Sequence, residues 1–421
     1  MYLNIIRKAA LLCLTVAFSL NLTAQDNSSF SSNFYGYVGF DAFYDTRQVT
    51  TARQGLVILY PLNEDLDPEG VDRNEGSEFN FTVVSTRLGA EIEGPDILGA
   101  ASSANVEIDF LGTGKPYFNL IRLRQANVTL DWNRFSVLAG QNWHPMFVTE
   151  CLPGVVAHAG GIPYHALNRA PQVKLRYKTG PLNLSLTILA HSDFSSLGPD
   201  GSTNDYLRKS GSPEAILQAI YESGNVLVGG TAGYHTLRPG SETPAGFSTS
   251  EEIGGFVGNI FTTLTFDEAT LKMMANYGQN NSHLVMQGGY GETGPVNPAR
   301  LEYGYTGIHA FSLWSDAEIH PGALTGLFSE EDALRLGIFG GYSRNLGSDE
   351  EITGDVWARG SDISHMYRIS PRAVYSHGQA SLGFELIYDI AAYGNPDNRF
   401  EFEETNEVSN LRTLLSLRYN F

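Results

Sequence analysis

The stretch Leu411-Arg-Thr-Leu-Leu-Ser-Leu-Arg-Tyr-Asn-Phe421 alternates between apolar and polar side chains over the last eleven residues of the chain. Successive side chains of a β-strand point to opposite faces, so this strand would meet an apolar medium on one side and water on the other. Leu414 is the one exception to the period of two. A transmembrane barrel leaves one apolar face of each strand against lipid and satisfies every backbone group by closure. The stretch therefore predicts a strand of an all-β transmembrane antiparallel barrel.

The N-terminal residues have the features of a secretory signal peptide. Arg7 and Lys8 precede an apolar run over residues 9–20, and Ala24 stands before Gln25. The alternative is a membrane anchor, but a run of about a dozen apolar residues is too short to span a bilayer. No later segment offers about 18 consecutive apolar residues, so helical spans are not expected. We predict that residues 1–24 are a signal peptide cleaved near Ala24/Gln25 and that residues 25–421 form a single barrel domain.

The composition agrees with many short strands joined by tight turns. Charged residues make up 17% of the chain and hydrophobic residues 42%, with 45 Gly and 21 Tyr. Glycine suits tight turns, and aromatic residues line the two membrane interfaces of a barrel. Cys151 would be the one cysteine left after cleavage, so no intrachain disulfide is expected. No cofactor, metal or nucleic-acid partner is predicted.

Amphipathic runs along the chain predict sixteen strands, with fourteen or eighteen as alternatives. The links alternate between long and short, as outer loops and inner turns do, and an even count places both ends of the barrel in the periplasm. Two links fit less well, because 93–100 and 315–333 are long where short turns are expected. Sixteen strands enclose a lumen too wide for side chains to fill, so an aqueous channel is expected. The predicted strands are 34–47, 79–92, 101–111, 119–131, 134–142, 170–178, 182–191, 213–222, 225–236, 253–266, 268–278, 301–314, 334–345, 362–376, 380–392 and 409–421.

The face opposite the apolar one supplies the side chains expected inside the barrel. Its basic residues fall on predicted strands thirteen to sixteen and one to six, which become contiguous on closure, whereas strands seven to twelve supply only Lys272. A one-sided cationic wall would concentrate anions, and arginine binds carboxylates bidentately. The predicted pore-lining and anion-binding residues are Arg87, Arg122, Arg124, Lys174, Arg176, Arg335, Arg368, Arg372, Arg412 and Arg418, and the predicted counter-charges in the lumen are Glu91, Glu107 and Asp109.

A salt-bridge network is the alternative interpretation of these charges. The three acidic residues lie on neighbouring strands and could neutralise nearby arginines in a network that stiffens the wall. Both roles could hold together. The fourth strand needs an irregularity in either case, because Arg122 and Arg124 share parity with Val128 and Leu130; a β-bulge near Gln125 would reconcile them.

The link 143–169 is far more apolar than the other long links. Folding into the barrel would bury these residues and narrow the channel, so a constriction loop is predicted, with a plug as the alternative. The acidic link 61–78 is expected to be a solvated outer loop, with calcium or lipopolysaccharide-bridging cations as the alternative. Five residues of the apolar link could suggest a metal site but match no standard spacing: His144, Glu150, Cys151, His158 and His165.

Six motifs in the first half of the chain resemble the DcaP-like trimeric porins, and a strand that ends in Phe421 resembles the terminal signature of outer-membrane barrel proteins. The resemblance implies a sixteen-stranded trimer that passes anionic small solutes such as dicarboxylates, with Arg87, Arg122, Arg124, Lys174 and Arg176 at the constriction. The chain departs from some members in lacking an N-terminal coiled-coil extension. The motifs are Phe34-Tyr-Gly-Tyr-Val-Gly-Phe-Asp-Ala-Phe-Tyr-Asp-Thr46, Ser85-Thr-Arg-Leu-Gly89, Val106-Glu-Ile-Asp-Phe-Leu-Gly112, Leu120-Ile-Arg-Leu-Arg-Gln-Ala-Asn-Val128, Gly140-Gln-Asn-Trp143 and Arg169-Ala-Pro-Gln-Val-Lys-Leu-Arg176.

These observations predict a passive, weakly anion-selective porin in the outer membrane rather than an enzyme. Its expected partners are small anionic or polar solutes, outer-membrane lipid and two further copies of the chain. The first alternative is a substrate-specific channel or hydrophobic-compound transporter with link 143–169 as its plug. A lipid-hydrolysing barrel would need a Ser and a His paired at the outer rim, and no such pair stands out. A structural barrel or adhesin is the remaining alternative.

Overall fold

The computed structural model describes residues 30–112, 114, 117, 119–321 and 332–421. The predicted signal peptide lies outside the described residues, as does most of link 315–333. Sixteen antiparallel strands form the wall. They are β1 (Ser31–Asp45), β2 (Glu78–Thr82 continued by Arg87–Ile97), β3 (Ala100–Asp109), β4 (Arg122–Asp131), β5 (Phe135–Trp143), β6 (Arg169–Thr179), β7 (Leu182–Leu189), β8 (Glu214–Ser223), β9 (Val226–Leu237), β10 (Ile253–Thr265), β11 (Ala269–Gln279), β12 (Glu302–Ile319), β13 (Asp332–Ser348), β14 (Ile363–His377), β15 (Ala380–Tyr393) and β16 (Asn406–Asn420).

The wall closes between its first and last strands. β1 pairs with β16 in antiparallel register from Tyr37↔Asn420 to Asp45↔Arg412, and with β2 on its other side. Every other strand pairs with its two neighbours in the sequence. The predicted count of sixteen and the closed antiparallel barrel are confirmed. No helix in the described part of the chain has the length and apolar run needed to cross a membrane.

The two links that fitted the alternation poorly were placed wrongly. β2 continues to Ile97 and β3 starts at Ala100, so this turn is two residues long instead of the predicted eight. β12 extends to Ile319 and β13 starts at Asp332, which shortens the second link from both sides. Both errors arose because polar residues continue these strands beyond their apolar runs, where the amphipathic pattern gives no signal.

The terminal stretch shows why Leu414 breaks the alternation. Leu411, Leu415 and Leu417 are exposed on the outer face, whereas Arg412 and Leu414 are buried on the inner face. The geometric period of two is therefore intact, and an apolar side chain occupies an inward position. Leu414 packs there in a cluster that includes Phe43 and Ile58. The exception in the sequence thus marks a place where an apolar segment lies inside the barrel.

The predicted β-bulge in β4 is present. The pairing of β3 with β4 shifts between Glu107↔Gln125 and Ile108↔Leu123, which leaves Arg124 as the extra residue. Arg122 and Arg124 are consequently buried on the inner face, while Val128 stays exposed on the outer one. A bulge changes the parity of a strand without breaking the wall.

Two segments fold into the barrel. The first, residues 144–168 between β5 and β6, is here called the inner link, and its inward folding was predicted. Tyr164 and Val148 of this link pack with Phe261, Trp314 and Phe339 on the inner faces of β10, β12 and β13. The second is a hairpin of strands Val49–Ala52 and Val57–Pro61, here called the inner hairpin. The strand pattern leaves these residues in the long link 48–78 between the first two predicted strands, with long links expected outside, so their inward fold was not predicted. It packs on the inner link through Leu59 and Ile162.

Valine at position 341 is expected to displace the inner link. A Cβ at Gly341 would lie 2.5 Å from Cγ of Tyr164, which is fully buried. Overpacking of this kind costs about 1–3 kcal/mol. We expect Gly341→Val to lower the unfolding free energy by that amount in a denaturant titration. The neighbouring Gly340→Ala is the matched control, since a Cβ there meets only Ser315 Oγ at 3.9 Å. Equal losses in the two variants would contradict the packing described here.

Candidate functional site

A cluster of ion pairs links β3 and β4 on the inner face. Arg122 donates from Nε and Nη2 to the two carboxylate oxygens of Asp109 at 3.0 and 2.7 Å. Arg124 donates from Nε to Glu107 Oε1 at 2.5 Å and from Nη1 to Asp109 Oδ2 at 2.8 Å. Arg87 lies 3.7 Å from Glu107 Oε2. Residues two apart on a strand share a face, and the β4 bulge lets both arginines face inward although Val128, of the same parity, faces outward.

The inner faces of β1 and β12–β16 carry similar pairs. Most of their arginines meet a carboxylate of the adjacent strand, whereas Arg372 of β14 reaches across β13 to two carboxylates of β12. The most buried arginines also bind backbone carbonyls of the inward segments: Arg368 donates to Ile162 O, and Arg412 donates to Gly55 O. These arginines therefore connect the wall to the inner link and the inner hairpin. The closest contacts are 2.6 Å for Arg412–Asp45, 2.8 Å for Arg418–Asp41, 2.6 Å for Arg368–Asp389, 2.6 Å for Arg372–Asp316, 2.9 Å for Arg372–Glu318 and 3.7 Å for Arg335–Glu318.

Within the described residues, this arc of wall is close to electrically balanced. Eight of the predicted arginines lie on it, and eight carboxylates share the same face. Six of those carboxylates were not predicted, because the sequence analysis assigned faces only to some strands. Glu91 is exposed rather than paired. The eight carboxylates are Asp41, Asp45, Glu107, Asp109, Asp316, Glu318, Glu385 and Asp389.

Lys174 and Arg176 of β6 lie apart from this arc. Arg176 donates to Asp131 at 2.8 Å, and both side chains of that pair are more than one-third exposed. Lys174 is partly buried. Neither side chain is among those that line the cavity described next.

A cavity of about 790 Å³ remains between the wall and the two inward segments. Its lining extends from Ser195 and Ser202 in the long link after β7 to Ser381 and Asn420 beside the short turns. The cavity therefore runs through the height of the barrel. Among the described residues that line it, Asp193 is the one carboxylate, whereas eight are arginines: Arg53, Arg87, Arg122, Arg124, Arg169, Arg335, Arg359 and Arg418.

Three of the lining arginines were missed by the sequence analysis. Arg53 lies in the turn of the inner hairpin, Arg169 at the start of β6 and Arg359 in the short strand Val356–Arg359. None has a carboxylate within hydrogen-bonding distance, although Arg169 Nη2 lies 3.6 Å from Asp193 Oδ2. Each has a buried guanidinium nitrogen without an acceptor. The amphipathic pattern of the wall strands does not mark them, because Arg53 and Arg359 lie in links between wall strands and Arg169 stands where the inner link joins β6. These three residues are here called the loop arginines.

The environment of Arg169 and Arg53 is strongly electropositive. The guanidinium of Arg169 lies over the rings of Trp143 and Phe194 at 5.0 and 5.3 Å, contacts typical of cation–π pairs. Burial lowers the pKa of Arg53, and the charge of Arg122 lowers it further. Arg122 itself lies 3.6 Å from Asp193, so this carboxylate is shared between Arg122 and Arg169. The net positive charge of the cavity thus comes from the loop arginines, because the wall arginines are already balanced.

His158 gives the inner link a pH dependence of known sign. Burial, together with Arg124 and Arg87, holds the pKa of His158 well below its usual range. The unfolded chain therefore binds a proton near pH 6.5 that the folded one does not, and stability falls as the pH drops below this value. We expect the unfolding free energy, measured by heat unfolding between pH 7.5 and 5, to fall less for His158→Gln than for the wild type. The difference should reach up to about 1 kcal/mol per pH unit. Identical losses would contradict this placement.

The fold of this chain is similar to that of several solved outer-membrane proteins. No family model and no curated protein matches the chain. The outer-membrane channel DcaP of Acinetobacter baumannii matches with a TM-score of 0.67 at 17% identity, over 93% of this chain and 98% of that one. OmpT of Vibrio cholerae matches with a TM-score of 0.54 at 11% identity, over 95% and 99% of the two chains. OmpF of Salmonella typhi gives 0.50 at 11%, over 93% and 97%.

The resemblance that six motifs indicated is thereby confirmed for the fold. At sequence identities this low, the similarity establishes the fold, but it does not establish which residues are functional or which solute passes. The three proteins named above are from bacterial outer membranes, and DcaP is described as a channel. The sixteen-stranded wall with an inward-folded link is common to the prediction and the structure. The chain has the fold of the outer-membrane porins, with DcaP as a solved example of that fold.

Proposed function

We propose that this protein is a porin that lets small solutes diffuse passively across the outer membrane and that it favours anions. The observation that carries the proposal is the cavity, which runs the height of the barrel and is lined by eight arginines and one carboxylate. A confined passage of one sign of charge between low-dielectric walls raises the local concentration of counter-ions. Cations would meet the same field as a barrier.

Small carboxylates, including dicarboxylates, are the solutes that this lining suits best. The guanidinium fork binds a carboxylate through two parallel hydrogen bonds, and arginine keeps its charge over the whole physiological range. Arg53 and Arg169 offer nitrogen donors that no carboxylate of the chain already occupies. The wall arginines at the predicted sites are neutralised by wall carboxylates. Their role would be to hold the inward segments, and with them the loop arginines, in position.

The packing of the inner link favours a constriction over a plug. Its apolar side chains cover the inner faces of β10–β13, on the side opposite the Arg122–Arg124 pairs. The cavity passes along the arginine side, where His158 and Gly160 of the link form part of its lining. An apolar link that faces an arginine-rich passage does not suit a transporter of hydrophobic compounds, which was the first alternative.

Export and assembly belong to the same proposal. We expect N-terminal sequencing of the mature protein to begin near Gln25. We also expect a homotrimer, for which the support is that OmpT of Vibrio cholerae, solved in a trimer form, matches this chain with a TM-score of 0.53 at 11% identity. Light scattering of the protein in detergent would give the mass of the assembly.

Reversal potentials in planar bilayers test the proposal. With a gradient of KCl across the membrane, an anion-favouring channel gives a potential whose sign follows chloride. We expect stable conductance with that sign from the wild-type protein. Negligible conductance would support the plug alternative, and a cation preference would overturn the proposed mechanism.

A further inference from the structure

Four histidines and one glutamate meet at the end of the barrel that carries the long links. His144 and His191 lie in the links after β5 and β7, Glu214 begins β8, His235 lies near the end of β9, and His283 lies in the 3₁₀ turn Asn281–Leu284. All five are buried, with at most 6% of each residue exposed. We call them the histidine cluster. Its position is separate from the wall arginines, although His283 also borders the cavity.

Glu214 lies at the centre of the histidine cluster. His144 Nε2 lies 3.2 Å from its Oε1, and His191 Nε2 lies 3.0 Å from its Oε2. His283 Nε2 lies 3.5 Å from the same Oε2. Donor atoms of His144, Glu214 and His283 all fall within 4.8 Å of one another. In tetrahedral zinc sites, metal–ligand distances of about 2.0–2.1 Å put the ligand atoms about 3.3 Å apart, and the contacts of Glu214 straddle that value.

Many ring nitrogens of the histidine cluster have no hydrogen-bond partner. Neither nitrogen of His235 or His283 is bonded, and Nδ1 of His191 is also without a partner. Leaving a buried polar atom unpaired costs about 1–3 kcal/mol, so five such atoms together are a poor arrangement unless something binds them. Imidazole nitrogens with a free lone pair are ligands for transition metals, and zinc also accepts carboxylate oxygens as ligands.

His144 differs from the other three histidines. Its Nδ1 accepts a hydrogen bond from the backbone N–H of Met146, so in the neutral ring the proton is on Nε2 and points at Glu214 Oε1. That ring therefore has no lone pair for a metal. Its geometry is that of an outer residue that orients a ligating carboxylate and leaves Oε2 available.

We propose that the histidine cluster binds one Zn²⁺ ion through Glu214, His191, His235 and His283, with His144 as the positioning residue. The rings of His191 and His283 are stacked with their centroids 4.6 Å apart, and Nε2 of each lies within 3.5 Å of Glu214 Oε2. The ring of His235 lies beside them, with its centroid 4.7 Å from that of His283. Ligation of one ion requires rotations of these rings that bring one nitrogen of each to a common centre. The site is closed to solvent, as structural zinc sites are.

Zinc bound in this way would fasten the long links to the wall. His191 is two residues from Asp193, and His283 follows Ser282, both of which line the cavity beside Arg169. The ion would thus stabilise one side of the passage. Because binding to the folded state alone raises stability, the melting temperature should rise with the concentration of zinc.

The test uses the whole protein, folded in detergent and stripped of metal with a chelator. Calorimetry then measures the binding of Zn²⁺, and mass spectrometry measures the metal content. We expect one zinc per chain and a higher melting temperature. Titration with Co²⁺ should give the intense visible absorption of a four-coordinate site, a measurement that needs no variant. Absence of zinc binding at micromolar concentrations, together with no such absorption, would overturn the proposal and leave a proton-sharing cluster.

Variants assign the roles within the site. His283→Ala and Glu214→Gln should abolish binding, whereas His144→Gln should weaken it by about 10–100-fold and keep the visible spectrum of bound Co²⁺. The matched control is His365→Ala, since His365 lies 3.5 Å from Glu407, outside the histidine cluster. Equal affinity in His283→Ala and His365→Ala would rule out the assigned site.

Discussion

Replacing Arg53, Arg169 and Arg359 together by glutamine is expected to remove the anion preference of the channel. Within the described residues, Arg53 and Arg359 have no carboxylate partner, and Arg169 shares the single carboxylate of Asp193 with Arg122. The wall arginines, by contrast, share their face with an equal number of acids. Three unit charges lost from a passage this narrow should change the ratio of anion to cation permeability on the order of tenfold. Reversal potentials of the variant in a KCl gradient would measure the change.

The matched control is Arg176→Gln. Arg176 is paired with Asp131, is well exposed and does not line the cavity, so its replacement removes a positive charge from the chain without altering the passage. We expect the control to keep the wild-type reversal potential. A triple variant that also keeps it would show that the loop arginines do not set selectivity.

Removing both wall arginines of β4 has the largest expected effect on stability. In Arg122→Ala plus Arg124→Ala, the buried carboxylate of Asp109 loses both of its arginines, and among the described residues that of Glu107 keeps only Arg87, at 3.7 Å, as a charged partner. Breaking a buried pair on one side costs about 3–5 kcal/mol because the remaining charge stays buried. The same change should shift the reversal potential towards cations, since two acids would now face the cavity. Denaturant titration and bilayer recordings on one preparation would measure both effects.

Adding Glu107→Gln and Asp109→Asn to that variant separates charge from packing. The fourfold variant removes the two carboxylates that had lost Arg122 and Arg124, so most of the lost stability should return, and the reversal potential should move back towards that of the wild type. If stability does not return, the loss came from the cavity left by two large side chains rather than from buried charge. If the reversal potential of the double variant equals that of the wild type, Arg122 and Arg124 do not contribute to the anion preference.

The fold could be predicted from the sequence because lipid imposes a simple pattern on every wall strand. The alternation of apolar and polar residues located all sixteen strands, and a parity conflict between Arg124 and Val128 located the β4 bulge. The inner hairpin was missed for a physical reason. Its residues Val57, Ile58 and Leu59 are all buried, on both faces, so they show no alternation and look like an ordinary apolar run.

The site was less predictable, because it depends on contacts between distant segments. Strand parity identified the inward arginines of the wall, but it gave no sign of which would be neutralised: Arg412 meets Asp45 and Arg418 meets Asp41 only because the barrel closes. The loop arginines that carry the unbalanced charge follow no periodic pattern. Their place depends on how the inward segments pack, which no local signal in the sequence encodes.

The histidine cluster did leave a signal in the sequence that strand patterns alone do not use. His144, His191, His235 and His283 are separated by 47, 44 and 48 residues, about the length of two strands and their links. Each therefore falls at the same end of successive hairpins, where closure of the barrel brings them together. Considering only residues close in sequence, such as His144 with His158 and His165, grouped the wrong partners.

The most direct test of the central claim compares two solutes of similar size, one a dianion and the other neutral. Proteoliposomes containing the wild-type protein are placed in isotonic succinate or in its neutral diamide, and the rate of swelling is recorded for each. A cavity lined by unbalanced arginines predicts faster entry of succinate than of the diamide, and loss of that difference in the triple glutamine variant. Faster entry of the diamide, or equal rates for both solutes in the wild type, would contradict the account.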